Sequence, residues 1–335
     1  MKFFFISLIL LFSFWVENTS QKFYTGAEIM KIMEESKIRY ELNILDEKIP
    51  VPDRTQNVIF NEYYREKIDG VYQIYKYSWN DTIEEYFNAA ELNFKKKNPE
   101  LARQNYLKIL EINPKFYKVM TYIAQTYAIQ GSYNKAIEYY LKTVESNFID
   151  YMAHWFLADT YTEIGENEKA LEEITIAKIL NRNNPRLNIS FNRIFNLNNL
   201  DTANWEFNPQ IKIDSIADKH IRIKADSDWL GYSFVKALFR YEPNYILSKN
   251  ISEGESFLFE EKQCIVAMVN IFKEESLQRN PEFDALNKAI ELKMIDEYIV
   301  YEIALIDRPD VALQLSEEII LRIKDYVIKV RGKKK

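Results

Sequence analysis

The stretch MTYIAQTYAIQGSYNKAIEYYLKT (residues 120–143) and the stretch HWFLADTYTEIGENEKALEEITIA (residues 154–177) carry one pattern twice, displaced by the step from Ala124 to Ala158. Each opens with apolar residues at helical spacing, Ile123, Ala124 and Tyr127 in the first, Leu157, Ala158 and Tyr161 in the second. A glycine follows, Gly131 or Gly165, and then a second apolar series: Ala136, Tyr140 and Thr143 against Ala170, Ile174 and Ala177. One step earlier stand Tyr86, Ala90 and Phe94, followed by Ala102, Tyr106 and Leu110. Small and large side chains recurring at one offset over three steps indicate a structural repeat, each unit too thin to bury its apolar face without a neighbour. Ala124 with Ala136, and Ala158 with Ala170, are small where two helices of a unit come closest. Tyr127, Tyr140 and Tyr161 would fill the wider spaces. The glycines end the first helix of a unit, because the left-handed turn there costs a residue without a Cβ little.

This pattern resembles the tetratricopeptide repeat family, whose period is about 34 residues with two antiparallel helices per repeat. The resemblance covers about a third of the chain. It implies a mainly α fold, an α-α superhelix of three helix pairs at 83–116, 117–150 and 151–184, within a repeat region of 81–186. The first unit has Lys97-Asn98-Pro99 in place of the glycine; Asn98 is expected to take the turn and Pro99 to open the next helix. The terminal proline of the pattern occurs as Pro114 and is replaced by Phe148 and Arg182, with Pro185 expected to end the third pair.

In this family the first helices of successive repeats line a concave groove that binds a protein or peptide. Carried onto this sequence, the groove residues are Phe87, Glu91 and Phe94, then Thr121, Gln125 and Ala128, then Trp155, Asp159 and Thr162. Trp155 is a candidate anchor, since tryptophan often dominates binding energy, with packing against the neighbouring unit as the alternative. Family members that grip a carboxyl-terminal peptide use Lys, Asn and Arg in the groove. Phe87, Glu91 and Asp159 are aromatic or acidic, so a basic or aromatic peptide segment is expected instead.

The flanks are organised differently. Met1-Lys2 precedes an apolar stretch from Phe3 to Val16, then polar Glu17-Asn18-Thr19-Ser20. This describes a secretory signal at 1–20, with an uncleaved anchor as the alternative. No cysteine follows it, which argues against a bacterial lipoprotein, and no later segment is apolar enough to span a bilayer. The expectation is an exported protein, periplasmic or secreted, without stable membrane insertion once the signal is removed. An N-terminal cap segment at 21–80 opens with a capping box, Thr25-Gly26-Ala27-Glu28, and a helix to about Leu42. Asp46 to Asp53 reads as a loop, and Val71 to Tyr77 as either strand or helix. Asp81-Thr82-Ile83-Glu84 reads as a second capping box.

Beyond the repeats, 187–208 reads as a linker containing a short helix, and 209–335 as an α-rich region with one β-hairpin at 210–224. The hairpin rests on strict alternation in Gln210–Asp214 and His220–Lys224. Asp226 or Ser227 would cap a helix carrying Trp229, Tyr232, Phe234 and Leu238, stopped by Pro243. Helical periodicity resumes at Glu255–Glu275, Pro281–Met294, Asp296–Ile306 and Asp310–Val330. The Trp229 to Pro243 stretch resembles exported repeat proteins of Bacteroidota.

Composition bounds the chemistry. A net charge of −6 and a pI near 5.4 argue against a nucleic-acid partner, which needs a clustered basic face. Only 7 glycines and 9 prolines favour long helices over a strand-rich sandwich. The single Cys264 lies in an apolar run and reads as a buried small hydrophobe. His154 and His220 are too few for a histidine-rich metal site, and His154 sits where a large side chain packs. No metal-ligand motif, phosphate-cradling loop or nucleophile elbow is present, so neither metal nor cofactor is expected. Adjacent acids such as Glu172-Glu173, Glu260-Glu261 and Glu274-Glu275 point about 100° apart on a helix and cannot face one substrate together. The chain is therefore read as a non-catalytic scaffold. The rival reading is a C-terminal hydrolase or carbohydrate-binding module, with Trp205, Trp229 and Tyr232 as a sugar-stacking face.

Overall fold

The computed structural model describes residues 24–55, 59, 61–202, 206–242, 253–271 and 283–334. The expected signal at 1–20, Trp205, the Pro243 stop and the Glu274-Glu275 pair lie outside the described residues. In chain order the described residues form α1 (Gly26–Glu35), β1 (Arg39–Ile44), β2 (Tyr63–Ile68), β3 (Val71–Lys76), α2 (Asp81–Lys95), α3 (Pro99–Ile112), α4 (Lys118–Ala128) and α5 (Tyr133–Ser146). Next come α6 (Tyr151–Glu163), α7 (Asn167–Leu180), α8 (Pro185–Leu197), β4 (Leu200–Thr202), β5 (Ile211–Ala217) and β6 (His220–Ala225). They are followed by α9 (Leu230–Tyr241), α10 (Glu253–Ile271), α11 (Asp284–Glu291), α12 (Ile295–Ile299), α13 (Glu317–Tyr326) and β7 (Gly332–Lys334). The chain divides into two compact units, one drawn from within 1–52 and 205–303, the other from within 53–204 and 304–335. The segment 21–80 is thus shared between the units, with the division at Pro52.

The repeat unit is built as its period requires. Helices α2/α3, α4/α5 and α6/α7 pack as pairs, each pair against the next. Ala90, Ala124 and Ala158 in the first helices, and Ala102, Ala136 and Ala170 in the second, are all fully buried. Backbone at Lys97, Gly131, Gly165 and Asn199 takes φ of +60°, +72°, +80° and +57°. These four left-handed residues stand one stride apart. In the first unit it is Lys97, not Asn98, that makes the turn; Asn98 has φ of −106° and precedes Pro99 at the start of α3. A lysine in that region carries a cost of roughly 1 kcal/mol that glycine would avoid.

Pro185 does not end the third pair but opens α8. Its missing N–H is not needed at a first helical position, and the Asn184 side chain accepts from the otherwise free helix-start N–H groups of Arg186 (3.0 Å) and Leu187 (3.4 Å). Much of the expected linker is therefore the first helix of a fourth step. Leu187, Phe191, Ile194 and Phe195 of α8 are buried, and α8 packs on α7 and α6. After Asn199 the stride ends: β4 pairs antiparallel with β7, and α13 packs on α7, where Lys324 reaches Glu172 at 3.8 Å.

At the array's start, the α2 cap is Asn80 rather than the Asp81-Thr82-Ile83-Glu84 box. Asn80 is extended, and its side chain accepts from Ile83 N at 2.9 Å, while Asp81 is already helical. The stretch left open at Val71–Tyr77 is strand through Lys76, paired antiparallel with β2. Asp69 and Gly70 make the two-residue turn with φ of +51° and +84°.

In the other unit the hairpin β5–β6 forms as its alternation predicts, with Ile221, Ile223 and Ala225 buried on one face. A third strand was not foreseen. The helix expected to reach Leu42 stops at Glu35, and β1 pairs parallel to β6 from Arg39↔His220 to Ile44↔Ala225. The Thr25 capping box of α1 is present. Asp226 caps the turn before α9, accepting from Asp228 N at 3.2 Å. Helix α9 lies on the sheet and against α10, approaching so closely that a Cβ on Gly231 would stand 2.6 Å from Ala267 O. Between these helices Lys236 Nζ donates to Glu260 (2.7 Å) and to Glu261, and the Tyr232 hydroxyl donates to Glu261 at 2.6 Å. Burial pushes Glu261 up from the carboxylate range while Lys236 and Tyr232 pull it down. Cys264 is buried, and burial pushes its thiol up, as a small core residue should be.

Candidate binding face of the repeat helices

The first helices α2, α4 and α6 carry the side chains expected to line a groove. On α2, Phe87 is half-buried and meets Trp79 (ring centroids 5.1 Å), Tyr122 (5.7 Å) and Tyr106 (6.0 Å). Trp79 precedes the α2 cap, leans edge-on against Phe116 at 5.0 Å and stays 38% exposed. The Lys118 ammonium, in the first turn of α4, lies 5.4 Å from the Trp79 ring and 5.9 Å from Phe87. Lys118 makes no ion pair among the described residues. Partial burial pushes its pKa down, against the pull of Glu62, Asp150 and Glu91. The result is a half-dry cation over aromatic faces, an arrangement that favours an incoming anion or π system.

The predicted residues are distributed unevenly. Glu91 accepts the Tyr106 hydroxyl, whose pKa burial and Glu91 push up, so this carboxylate is already engaged. Phe94 packs against the core of the first pair. Thr121 is not on the open face. It is fully buried and donates to Asp150 Oδ2 at 3.1 Å, because the buried Asp150 needs donors on both oxygens. Gln125 and Ala128 are partly exposed on α4. Trp155 is half-buried, stacked on Phe156 at 5.4 Å, and its indole N–H donates to Ser190 Oγ at 2.8 Å. Asp159 accepts from Arg193 at 2.6 Å. Thr162 donates to its own helix at Ala158 O, 3.0 Å.

Two clusters therefore emerge from the nine positions. Phe87 joins Trp79, Lys118 and Tyr122; Trp155 and Asp159 join Ser190 and Arg193 of α8. The stride would have revealed the α8 members, because Ile189 and Arg193 stand one full step after Trp155 and Asp159. Ile189 is 74% exposed, an apolar side chain left on the open end of this row. Trp79 and Lys118 had no such signal. His154 is a packed residue: its ring nitrogens face Glu173 Oε2 (2.5 Å) and Phe148 O (2.9 Å).

In the other unit, Trp229 and Tyr232 are buried and pack with Phe207 at 5.3 and 5.8 Å. They present no sugar-stacking face. Among the described residues no helix is long and apolar enough to cross a membrane.

Comparison with known proteins agrees with the helical array. Models of the tetratricopeptide repeat match residues 85–116 and 105–138. The chain contains tetratricopeptide repeats within a mainly α fold. No curated protein matches the sequence. Among solved structures, the Arabidopsis OM64 TPR domain is similar at 13% identity, covering 34% of this chain and 94% of that one, with a TM-score of 0.32. The Yersinia enterocolitica type III secretion chaperone SycD, in complex with a peptide of the translocator YopD, is similar at 17% identity over 36% of this chain and 91% of that one, TM-score 0.33. The TPR2B domain of yeast Sti1, in a pHsp70 complex, is 21% identical over 35% of this chain and 94% of that one, TM-score 0.31. These are likenesses of fold.

Proposed function

We propose that the chain is an exported, non-catalytic scaffold that binds a polypeptide through the face formed by α2, α4, α6 and α8. The observation that carries this reading is the row of partly exposed rings at Trp79, Phe87 and Tyr122 with the unpaired Lys118 ammonium over them. A ring row backed by rigid helices supplies contact area without a large ordering cost. The acids that suggested a basic partner are both engaged, Glu91 by Tyr106 and Asp159 by Arg193. The open charge is positive. An aromatic segment with a neighbouring carboxylate therefore fits this face better than a basic one, at an affinity on the order of μM (about −8 kcal/mol). Export is supported by Met1-Lys2 and the apolar run Phe3 to Val16.

Peptides selected from a random display library on the immobilised protein test the reading. Enriched aromatic-acidic sequences should lose at least tenfold in affinity on Phe87→Ala with Trp155→Ala, and keep it on Leu107→Ala with Leu141→Ala, two exposed residues of the second helices. Equal binding by both variants would refute it. N-terminal sequencing of the protein recovered outside the cytoplasm should begin after about Ser20; recovery only from inside the cell would overturn export.

A further inference from the structure

The turns that join one repeat to the next hold a second feature, independent of the groove. Asn113, Asn147 and Asn181 stand one stride apart, each as the C-cap of a second helix, α3, α5 or α7. Two of these amides do not serve the helices. Asn181 Oδ1 accepts from Ile59 N at 3.1 Å while its Nδ2 donates to Ile59 O at 2.9 Å. Asn147 Oδ1 accepts from Arg65 N at 3.3 Å while its Nδ2 donates to Tyr63 O at 3.2 Å. Between them Asn61 donates to the buried Asp150 at 3.0 Å. In β2 alternate residues point their backbone groups to one side, and at Tyr63 and Arg65 that side faces the repeats. The other edge is taken by β3, with Tyr77 N donating to Glu62 O at 3.0 Å.

The strides match. The two rungs engage chain positions about five residues apart, Ile59 and the Tyr63–Arg65 stretch, and a fully extended ligand would cover that many residues in roughly 17 Å at ~3.3 Å each. One repeat is two interhelical steps of about 8–10 Å, or roughly 16–20 Å. The next rung, Asn113, would meet the strand near Asp69, where the hairpin turns away, and its Oδ1 accepts locally from Lys115 N at 3.1 Å. Side-chain amides that pair with main-chain N–H and C=O read backbone rather than side chains.

We propose that the inter-repeat turns form a second polypeptide-binding track, which recognises extended backbone through Asn147 and Asn181, and that Ile59 and the Tyr63–Arg65 stretch of β2 are its resident ligand. The track is closed in the intact chain and admits an extended segment from outside only when the resident strand is released.

A fluorescent, end-capped peptide of residues 57–67 tests this on the full chain. It should fail to bind the wild type and should bind Ile59→Pro/Asn61→Ala/Arg65→Ala at least tenfold more tightly, because that variant loses the Ile59 donor, the Asn61 bond to Asp150 and the bonds of the Arg65 guanidinium to Leu313 O and Leu315 O. Adding Asn147→Ala and Asn181→Ala should abolish that binding. Binding that is equal on wild type and released chain, that survives loss of both asparagines, or that is absent from a released chain folded by circular dichroism would overturn the proposal. Hydrogen exchange on Asn147→Ala/Asn181→Ala, which leaves the strand intact, gives an independent reading. The Ile59 and Arg65 amides should exchange roughly tenfold faster, as loss of one hydrogen bond each allows, while amides inside α2 keep their rates. Unchanged exchange at Ile59 and Arg65 would equally refute it.

Discussion

In the repeat unit, paired helices meet over alanines that are near neighbours in the chain, such as Ala90 with Ala102 and Ala124 with Ala136. In the other unit, α9 and α10 meet over Gly231 and the Ala267 backbone, with a lysine, a glutamate and a tyrosine buried beside them. The first arrangement is apolar, local and repeated. The second is polar and singular, joining residues 24 to 29 apart in the chain by side-chain hydrogen bonds. Contacts in the array recur from pair to pair, whereas the α9–α10 contact depends on charges that stabilise only as a set.

The largest expected effect breaks that set. Lys236→Met leaves Glu261, 2% exposed, without its cation, and should cost about 3–5 kcal/mol in urea unfolding. Lys236→Met with Glu261→Met should recover most of it. The exposed pair Lys142–Glu138 in the array, 2.6 Å apart, offers the contrast: Lys142→Met should leave the urea midpoint nearly unchanged, because solvent screens the pair. Comparable losses at both sites would erase the distinction drawn between the units.

Glycines sharpen it next. Gly231→Ala drives a Cβ into Ala267 O and should cost about 1–3 kcal/mol by overpacking. Gly131→Ala meets open space, and its cost of roughly 1 kcal/mol comes from a φ of +72° alone. Asn could therefore replace Gly131 with less loss than Ala, but not Gly231; thermal unfolding of the four variants decides this.

Asn80→Ala should remove about 1 kcal/mol through the lost α2 cap, with Asp81→Ala nearly silent in the same chemical denaturation. The smallest effect is a pH dependence in the β2–β3 hairpin. Lys76, 2.8 Å from Glu62, holds the Glu62 carboxyl below its ordinary range. The pair therefore contributes above the unfolded carboxylate range, and that contribution is lost as pH falls through the lower folded-state value. Exchange of the hairpin amides should rise slightly on acidification, and Lys76→Met should flatten the rise.

What was legible in the residues follows the same division. The stride of the array, its alanine contacts and its glycine turns depend on neighbours in sequence, so periodicity exposes them. The same stride extends to Ile189 and Arg193, but these positions went unread because Pro185 reads as a stop when it is a start. The hairpin at Asp69-Gly70 had a turn signature that the aromatic run of β3 obscured. The pairing of β1 with β6 had no local mark, because Arg39 and His220 meet from distant parts of the chain. Thr121 occupied a groove position by spacing and was drawn inward by the buried Asp150, a demand invisible without coordinates. Of the candidate face, the Phe87 and Trp155 positions were readable; the free Lys118 and the engagement of Glu91 and Asp159 depend on contacts between helices.

Thiol accessibility tests the stacked array most directly, since the native Cys264 is buried and should remain unlabelled. Ala90→Cys, Ala124→Cys and Ala158→Cys place one thiol at the same interior position of three successive units, and Ser132→Cys provides an exposed reference. Under native conditions the three interior thiols should react at least about a thousandfold more slowly than Cys at 132, at a rate set by unfolding. Reaction of any one of them at the reference rate would mean that the units do not stack in register.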